Sequence, residues 1–182
     1  RRLLGAQLSL PNGSEMTVYN GYFPQGESVD HPTKFPAKRD FYQGLQEVLE
    51  SRHNADEQLV VMGDMNIAVT DTDIGIGEDN RKRWLRTGKS SFQPEEREWI
   101  QKLLGYGLYD SYRELYPDAN DYSWFDYRSR GFEREPQRGL RIDQILFTQT
   151  PMQQCQSAGI DYQIRGMEKP SDHCPIWAKL AI

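Results

Sequence analysis

The sequence predicts an α/β fold, because short apolar segments with strand character alternate with longer segments of helical periodicity. The chain has 182 residues, which is enough to bury a sizeable core in one domain. Hydrophobic residues make up 37% and charged residues 27%, a composition typical of a globular protein rather than of a disordered one. We therefore expect a single domain over residues 1–182, without an internal repeat or a linker.

The first half of the chain contains two strand patterns, a helix and a buried strand. A strand end at 8–10 is followed by a turn at 11–13 and by a β-rich segment at 16–20. An amphipathic helix is predicted over residues 34–51, because its apolar residues recur at intervals of three and four. These residues are Phe41, Leu45, Val48 and Leu49. The uninterrupted apolar run at 59–62 predicts a buried strand.

The second half begins with an irregular segment and then alternates again. Residues 64–91 carry no regular pattern, and Gly75, Gly77 and Gly88 interrupt them. A second helix is predicted to begin at Pro94, with two glutamates in its first turn, where the helix dipole favours acidic groups. After Gly105 we predict a partly helical segment at 109–116, an aromatic strand or loop at 122–127, and strands at 142–147, 160–164 and 175–180.

Charge and composition exclude several classes of protein. The formal net charge is −5, which argues against a protein that coats nucleic acid through global charge but allows a local positive surface. No segment approaches the about 20 apolar residues of a membrane span, and no signal-peptide pattern opens the chain. Cys155 and Cys174 stand outside any CxxC or zinc-binding pattern. We expect a cytoplasmic protein with free thiols and no membrane contact.

Three polar groups stand beside apolar segments that read as strands. The motif GDMN, with Asp64 and Asn66, follows the apolar run at 59–62, and Asp143 stands next to the apolar segment after it. Asp172 and His173 directly precede the last predicted strand. Because a strand end holds a side chain rigidly and several strand ends can converge, this pattern predicts a metal-assisted site that cleaves phosphodiester bonds.

Each of these groups also has an ordinary structural explanation. Asp64 can hold a metal or deprotonate a water, and Asn66 can donate to a phosphoryl oxygen, but both side chains could instead cap a turn. Asp172 can ligate a hard cation and His173 can donate to a phosphate, whereas an Asp-His pair is common in surface turns. Asp143 could orient a histidine or form an ion pair with a neighbouring arginine.

Basic and aromatic residues suggest a surface for nucleic acid. Cationic side chains concentrate at 81–89 and again at 128–141, and such stretches can follow a phosphate backbone, although a charge run is more often a solvated face. Aromatic rings at 124 and 125 could stack on an unpaired nucleotide or pack in the core. The predicted DNA contacts are Arg81, Lys82, Arg83, Arg86, Lys89, Trp124, Phe125, Arg128 and Arg141.

The order of the motifs resembles the exonuclease III family of DNA-repair nucleases, which belongs to the endonuclease/exonuclease/phosphatase superfamily. The motifs are the tyrosine loop at 20–26, GDMN, the basic loop, SWFDYRS, LRID and SDH. The stretches at 73–89 and 123–129 look closest to the bacterial branch of that family. The resemblance covers essentially the whole chain.

The resemblance implies a four-layer α/β sandwich, in which two mixed sheets lie face to face and helices flank them. It implies a monomer that acts on double-stranded DNA at abasic sites and at 3′ ends. The implied activities are those of a 3′-to-5′ exonuclease, an abasic-site endonuclease and a 3′-phosphatase. The implied cofactor is Mg²⁺, with Mn²⁺ as a substitute. Trp124 matches the tryptophan that recognises an abasic site.

The catalytic set implied by the resemblance is Tyr22, Asp64, Asn66, Asp143 and His173. Within this set Asp64 activates the attacking water and Asn66 orients the phosphoryl group. Tyr22 lies at the phosphate, and Asp143 supports His173. The implied metal site comprises Asp64, Asn66, Asp172 and His173.

The chain departs from the family at its front. It lacks the family's first strand with its asparagine, and it lacks the Gln-Glu-Thr-like motif that carries a metal-binding glutamate. We therefore expect an incomplete sandwich without the N-terminal strands, corresponding to the C-terminal part of the family's domain. Exposed sheet edges or apolar patches and weak metal binding should follow. The alternatives to a nuclease are a superfamily phosphatase or phosphodiesterase and a catalytically deficient fragment that binds DNA.

Overall fold

The computed structural model describes residues 2–182 and has a five-stranded mixed sheet at its centre. The strands of this sheet are β1 (Leu3–Ser9), β2 (Glu15–Tyr22), β3 (Leu59–Asp64), β4 (Tyr109–Asp110) and β5 (Asp143–Phe147). They lie in the order β1-β2-β3-β5-β4, with β2 parallel to β3 and every other pair antiparallel. A second sheet consists of two antiparallel strands, β6 (Cys155–Ile160) and β7 (Ile176–Leu180).

Helices connect and cover these strands. They are α1 (Lys34–Arg52), α2 (Glu78–Arg86), α3 (Pro94–Gly105), α4 (Ser111–Leu115), α5 (Gln149–Gln153) and α6 (Tyr162–Arg165). The start of α3 follows from its sequence, because Pro94 occupies the first turn and Gln93 forms a capping box with Glu96. Over residues 2–182, none of the helices combines the length and the apolar character that crossing a membrane requires.

The two faces of the five-stranded sheet pack in two different hydrophobic cores. Leu59 and Val61 of β3 pack with the apolar sides of α1 and α3 in the largest core cluster. Val60, on the opposite face, packs with Phe147 and with side chains of the second sheet. Successive side chains of a strand point to opposite faces, so β3 carries both cores. The layers are therefore helices, the large sheet and the small sheet.

The predicted α/β class is confirmed, and the predicted helices at α1 and α3 are present. Two element predictions are wrong. The segment 64–91 is not irregular throughout, because α2 forms within it; Trp84 is its one buried side chain, so no apolar periodicity marks the helix. The segment 160–164 is not a strand, because the carboxylate of Asp161 accepts a hydrogen bond from the N–H of Ile164 at 3.0 Å and starts α6.

The sheets expose apolar side chains at their edges, as the sequence predicts. Leu4 on the edge strand β1 is 69% exposed, and Trp177 on β7 is 47% exposed. Apolar groups of this size at a sheet edge are accessible to other molecules.

A buried ion pair joins α1 to α3. The Nζ atom of Lys38 lies 2.5 Å from Oε1 of Glu96, and both side chains are 0% exposed. Lys38 also donates to the carbonyl oxygen of Asn66 at 2.8 Å. The other carboxylate oxygen of Glu96 accepts from the N–H groups of Ser91 and Gln93, each at 2.8 Å. The pair therefore fixes two loops as well as two helices.

We expect the substitution Lys38→Met to lower the free energy of unfolding by about 3–5 kcal/mol, because it leaves the Glu96 carboxylate buried without its partner. Arg39→Met is the matched control. It breaks a 2.7 Å pair between Arg39 and Glu95 that joins the same helices, but these side chains are 46% and 42% exposed. The control should cost no more than about 1 kcal/mol. Urea unfolding measures both values, and equal losses would contradict the prediction.

Candidate active site

Neighbouring strand ends carry three of the predicted polar residues to one place. Tyr22 of β2 lies opposite Asp64 of β3 in the parallel register. Asp64 in turn lies opposite Asp143 of β5 in the antiparallel register. Paired strands are about 4.8 Å apart, so these residues form a row that one small ligand can span.

Gly63 allows β2 and β3 to approach each other next to this row. Its φ is +132°, and a Cβ atom there would lie 1.9 Å from the carbonyl oxygen of Gly21. Only glycine fits such a position. The sequence interpretation places Gly63 in a turn after the strand, whereas the structure places it inside β3.

Asn66 holds the Asp64 carboxylate in position. Its N–H donates to Oδ1 of Asp64 at 2.9 Å, and its side-chain Nδ2 donates to Oδ2 of the same residue at 2.8 Å. The same Nδ2 donates to the carbonyl oxygen of Phe23 at 3.0 Å. Asn66 has a φ of 54°, a left-handed conformation that asparagine tolerates. The motif is thus a capped turn that also aims a carboxylate.

His173 is oriented by Asp143. Its Nδ1 atom lies 3.0 and 2.9 Å from the two carboxylate oxygens of Asp143. The backbone of this segment is held by Ser123, whose hydroxyl oxygen accepts from the N–H groups of Ile142 and Asp143 at 3.0 Å each. Asp143 therefore supports the histidine rather than pairing with a neighbouring arginine.

The site raises two pKa values, that of His173 and that of Asp64. Burial disfavours the charged imidazole, but the hydrogen bond and the charge of Asp143 outweigh it and raise the pKa of His173 to about 9. Burial and repulsion from Asp143 raise the pKa of Asp64 to about 7, although the charges of His173 and Lys38 oppose the shift. His173 is therefore protonated near neutral pH, and its Nε2–H is available to an acceptor.

Asp64, Asp143 and His173 form a group that fits a divalent cation. Ligand atoms of the three residues lie within 4.8 Å of one another. The two carboxylates supply oxygen ligands of the kind that hard cations prefer, and a cation between them would relieve the repulsion that raises the pKa of Asp64. A ligating imidazole must be neutral, so a cation held by His173 would have to displace its proton. Metal ligation by His173 stays a prediction.

The two remaining predicted metal ligands already have protein partners. Oδ2 of Asp172 accepts a hydrogen bond from Nε1 of Trp124 at 3.0 Å. The side-chain amide of Asn66 donates to Asp64, as described above. Metal ligation by Asn66 and Asp172 stays a prediction.

These residues surround a cleft of about 200 Å³. The cleft brings together the predicted residues Tyr22, Asp64, Asn66, Lys89, Trp124, Asp172 and His173. Gln25, Trp84 and Ser91 also line it and were not predicted. Trp84 has a signal in the sequence, as the lone aromatic residue of the basic loop, whereas Gln25 and Ser91 have none.

Two of the predicted DNA contacts are wrong. Phe125 is fully buried and packs edge-on against Phe132, so it cannot stack on a nucleotide. Arg141 is also buried, and its guanidinium pairs with Asp73 at 2.7 Å and with Asp110 at 2.6 Å. These two side chains hold the interior of the protein together.

The other predicted DNA contacts are accessible. Lys82, Arg83, Arg86, Lys89 and Arg128 are exposed. Arg81 is partly exposed and pairs with Asp71 and Glu78. Contact of these residues and Trp124 with DNA stays a prediction.

Comparison with known proteins gives a consistent picture. The chain matches the family described as Endonuclease/Exonuclease/phosphatase family over residues 5–173. It is 58% identical over 180 residues to Exodeoxyribonuclease III of Haemophilus influenzae, an alignment that covers 98% of this chain and 66% of that protein.

Solved structures share the fold. The 3′ phosphatase NExo from Neisseria, bound to a product DNA hairpin, superposes with a TM-score of 0.86 at 34% identity, covering 100% of this chain and 65% of that one. An AP endonuclease from Archaeoglobus fulgidus gives a TM-score of 0.86 at 29% identity, again covering 100% of this chain and 65% of that one. The chain spans about two thirds of the length of each relative.

We expect the imidazole of His173 to titrate near pH 9 in the metal-free chain, and at lower pH in Asp143→Asn, because the substitution removes the stabilising charge but not the burial. Two-dimensional NMR of the imidazole nitrogens measures both midpoints, with His53 as an internal control outside the site. The ordinary value is 6.5, so the stabilisation from this proton is complete below pH 6.5 and is lost as the pH rises through about 9. An unchanged midpoint in the variant would contradict the assignment.

Proposed function

The chain belongs to the endonuclease/exonuclease/phosphatase family, and on that premise we propose that it is a DNA-repair nuclease that hydrolyses phosphodiester bonds of double-stranded DNA. The observation that carries the proposal is the convergence of Asp64, Asp143 and His173 beside one cleft. The proposed activities are those of a 3′-to-5′ exonuclease, an abasic-site endonuclease and a 3′-phosphatase. The similarity to Exodeoxyribonuclease III, to the 3′ phosphatase NExo and to an AP endonuclease supports this range.

Each side chain of the site has a role in the proposed reaction. Asp64 accepts a proton from the attacking water, and Asn66 keeps its carboxylate aimed. His173 donates Nε2–H to a phosphoryl oxygen and offsets the negative charge that develops there. Asp143 keeps the imidazole charged and oriented. Tyr22, which is exposed at the edge of the cleft, contacts the phosphate through its hydroxyl group.

The proposed cofactor is Mg²⁺, with Mn²⁺ as a substitute, held by the carboxylates of Asp64 and Asp143. When bound, such a cation supplies charge neutralisation at the phosphoryl oxygens and lowers the pKa of a bound water. The exposed cations around the cleft and the partly exposed indole ring of Trp124 that lines it favour DNA over a small phosphate ester or a phospholipid.

We expect weak Mg²⁺ binding, with a dissociation constant well above the micromolar range, because only two carboxylates, those of Asp64 and Asp143, meet at the proposed site among the described residues. Isothermal titration calorimetry measures the affinity. Asp64→Asn and Asp143→Asn should each weaken it further, since each removes one of the two carboxylates. Micromolar binding by the unsubstituted chain, or full binding by both variants, would contradict the proposed site.

We expect cleavage of a duplex with one abasic site to fall by about 100- to 10 000-fold in Asp64→Asn and in His173→Asn, as removal of a general base or acid does. Duplex affinity should change little, because both side chains act at the scissile phosphate. His53→Asn is the matched control, since His53 bonds Tyr19 and Glu57 rather than any group of the site.

The same assay separates the alternatives. Hydrolysis of inositol phosphates without cleavage of DNA would favour a superfamily phosphatase. Binding of the abasic duplex without cleavage, even at high Mg²⁺ or Mn²⁺, would favour a chain that binds DNA but does not cut it. Full turnover by Asp64→Asn would remove Asp64 from the mechanism.

A further inference from the structure

A second cavity of about 130 Å³ lies beside the candidate active site. The side chains of Trp84 and Trp124 line both this cavity and the catalytic cleft. The remaining walls come from α2, from Ile76 two residues before it, and from the loop 126–138, which is far from α2 in the sequence. The two cavities are therefore adjacent, and a nucleic-acid strand that extends from the cleft past the two indole rings would enter this cavity.

The walls of the cavity carry an excess of positive charge. Three guanidinium groups, of Arg83, Arg134 and Arg138, face one carboxylate, that of Asp126. Both oxygens of Asp126 already accept hydrogen bonds from backbone N–H groups of the following turn, at 3.3 and 3.2 Å. Across residues 2–182, no carboxylate forms an ion pair with any of these three arginines.

Lys89 lies close enough to neighbouring arginines for their positive charges to repel its own. Nζ of Lys89 lies 3.8 Å from the centre of the Trp84 ring. Burial lowers the pKa of Lys89, and the positive charges of Arg83 and Arg128 lower it further, although Asp126 opposes them. A bound anion would offset the repulsion between these positive charges.

The arginines of the loop are held by their own backbone. Nε of Arg134 donates to the carbonyl oxygen of Ser129 at 2.9 Å, and the N–H of Arg138 donates to the carbonyl oxygen of Gly131 at 2.8 Å. The guanidinium of Arg138 lies against the start of α2, where a Cβ on Gly77 would be 3.6 Å from Nη1. The first bond orients the guanidinium of Arg134, and the second fixes the backbone from which Arg138 extends. Planar guanidinium groups match the oxygens of a phosphate group.

We propose that this cavity is a second phosphate subsite, in which Arg83, Arg134 and Arg138 bind a backbone phosphate neighbouring the one in the catalytic cleft. This inference rests on the proposed function, because it takes DNA as the ligand. In this proposal Arg134 and Arg138 join the residues that contact DNA. The part of the strand between the two phosphates lies against the wall formed by Trp84 and Trp124.

The test measures binding without cleavage. Fluorescence anisotropy of a labelled duplex with one abasic-site analogue, in EDTA and over a range of salt, gives the slope of log affinity against log salt. Arg134→Gln and Arg138→Gln should each make this slope shallower by about 0.9, the change expected when one phosphate contact is lost. Arg52→Gln, which alters an exposed arginine in the last turn of α1, should leave both slope and affinity unchanged.

Single uncharged methylphosphonates in the duplex locate the contact. If the cavity holds one phosphate, neutralising that phosphate removes most of the effect of Arg138→Gln, and the two changes combine less than additively. Methylphosphonates elsewhere should add independently to the effect of the substitution. We expect the coupled phosphate to neighbour the one at the abasic site that the catalytic cleft receives.

The outcomes separate this inference from the proposed function. If the unsubstituted chain binds the duplex and both variants keep its salt slope, the second subsite is wrong and the nuclease proposal stands. If the unsubstituted chain does not bind the duplex, both are wrong. Thermal unfolding of the two variants confirms that they fold, as expected for exposed side chains.

Discussion

The buried ion pair between Lys38 and Glu96 fixes the relative positions of two helices and two loops. An ammonium group without water must direct its N–H donors at protein acceptors, and here they reach Glu96, the carbonyl of Asn66 and, at 3.4 Å, the carbonyl of Gln25. Burial lowers the pKa of Lys38, and the Glu96 charge opposes that shift. Because Asn66 in turn aims the carboxylate of Asp64, the packing of two helices decides where this carboxylate lies.

A second buried network does the same for the other carboxylate. The guanidinium of Arg141 binds Asp73 and Asp110, which ties the turn after β3 and the end of β4 to the strand that begins at Asp143. In the sequence Arg141 stands between apolar residues, and that alternation looks the same for a ligand-binding arginine and for a buried one. Burial of its partners is decided by tertiary packing, which no local pattern records.

Sequence patterns predicted the parts of the site that depend on strand ends. Asp64 and Asp143 could be placed because a strand fixes where its terminal side chains lie, and Asp64 ends β3 while Asp143 begins β5. Trp124 and Phe125 could not be separated, because adjacent residues of an extended segment face opposite sides and the pattern does not say which side is the interior. Helix α2 was missed for a related reason. Trp84 is its one buried side chain, so the sequence of the helix shows no apolar periodicity.

The distribution of charge explains how an acidic chain can handle a polyanion. The net charge is −5, yet acids and cations occupy different depths around the cleft. Asp64 and Asp143 lie at strand ends beside His173, whereas the arginines and Lys89 are exposed around them. In the proposed function, long-range attraction depends on the exposed cations, and chemistry depends on the partly buried carboxylates. The proposal therefore assigns DNA affinity and turnover to different residues, so that each can change without the other.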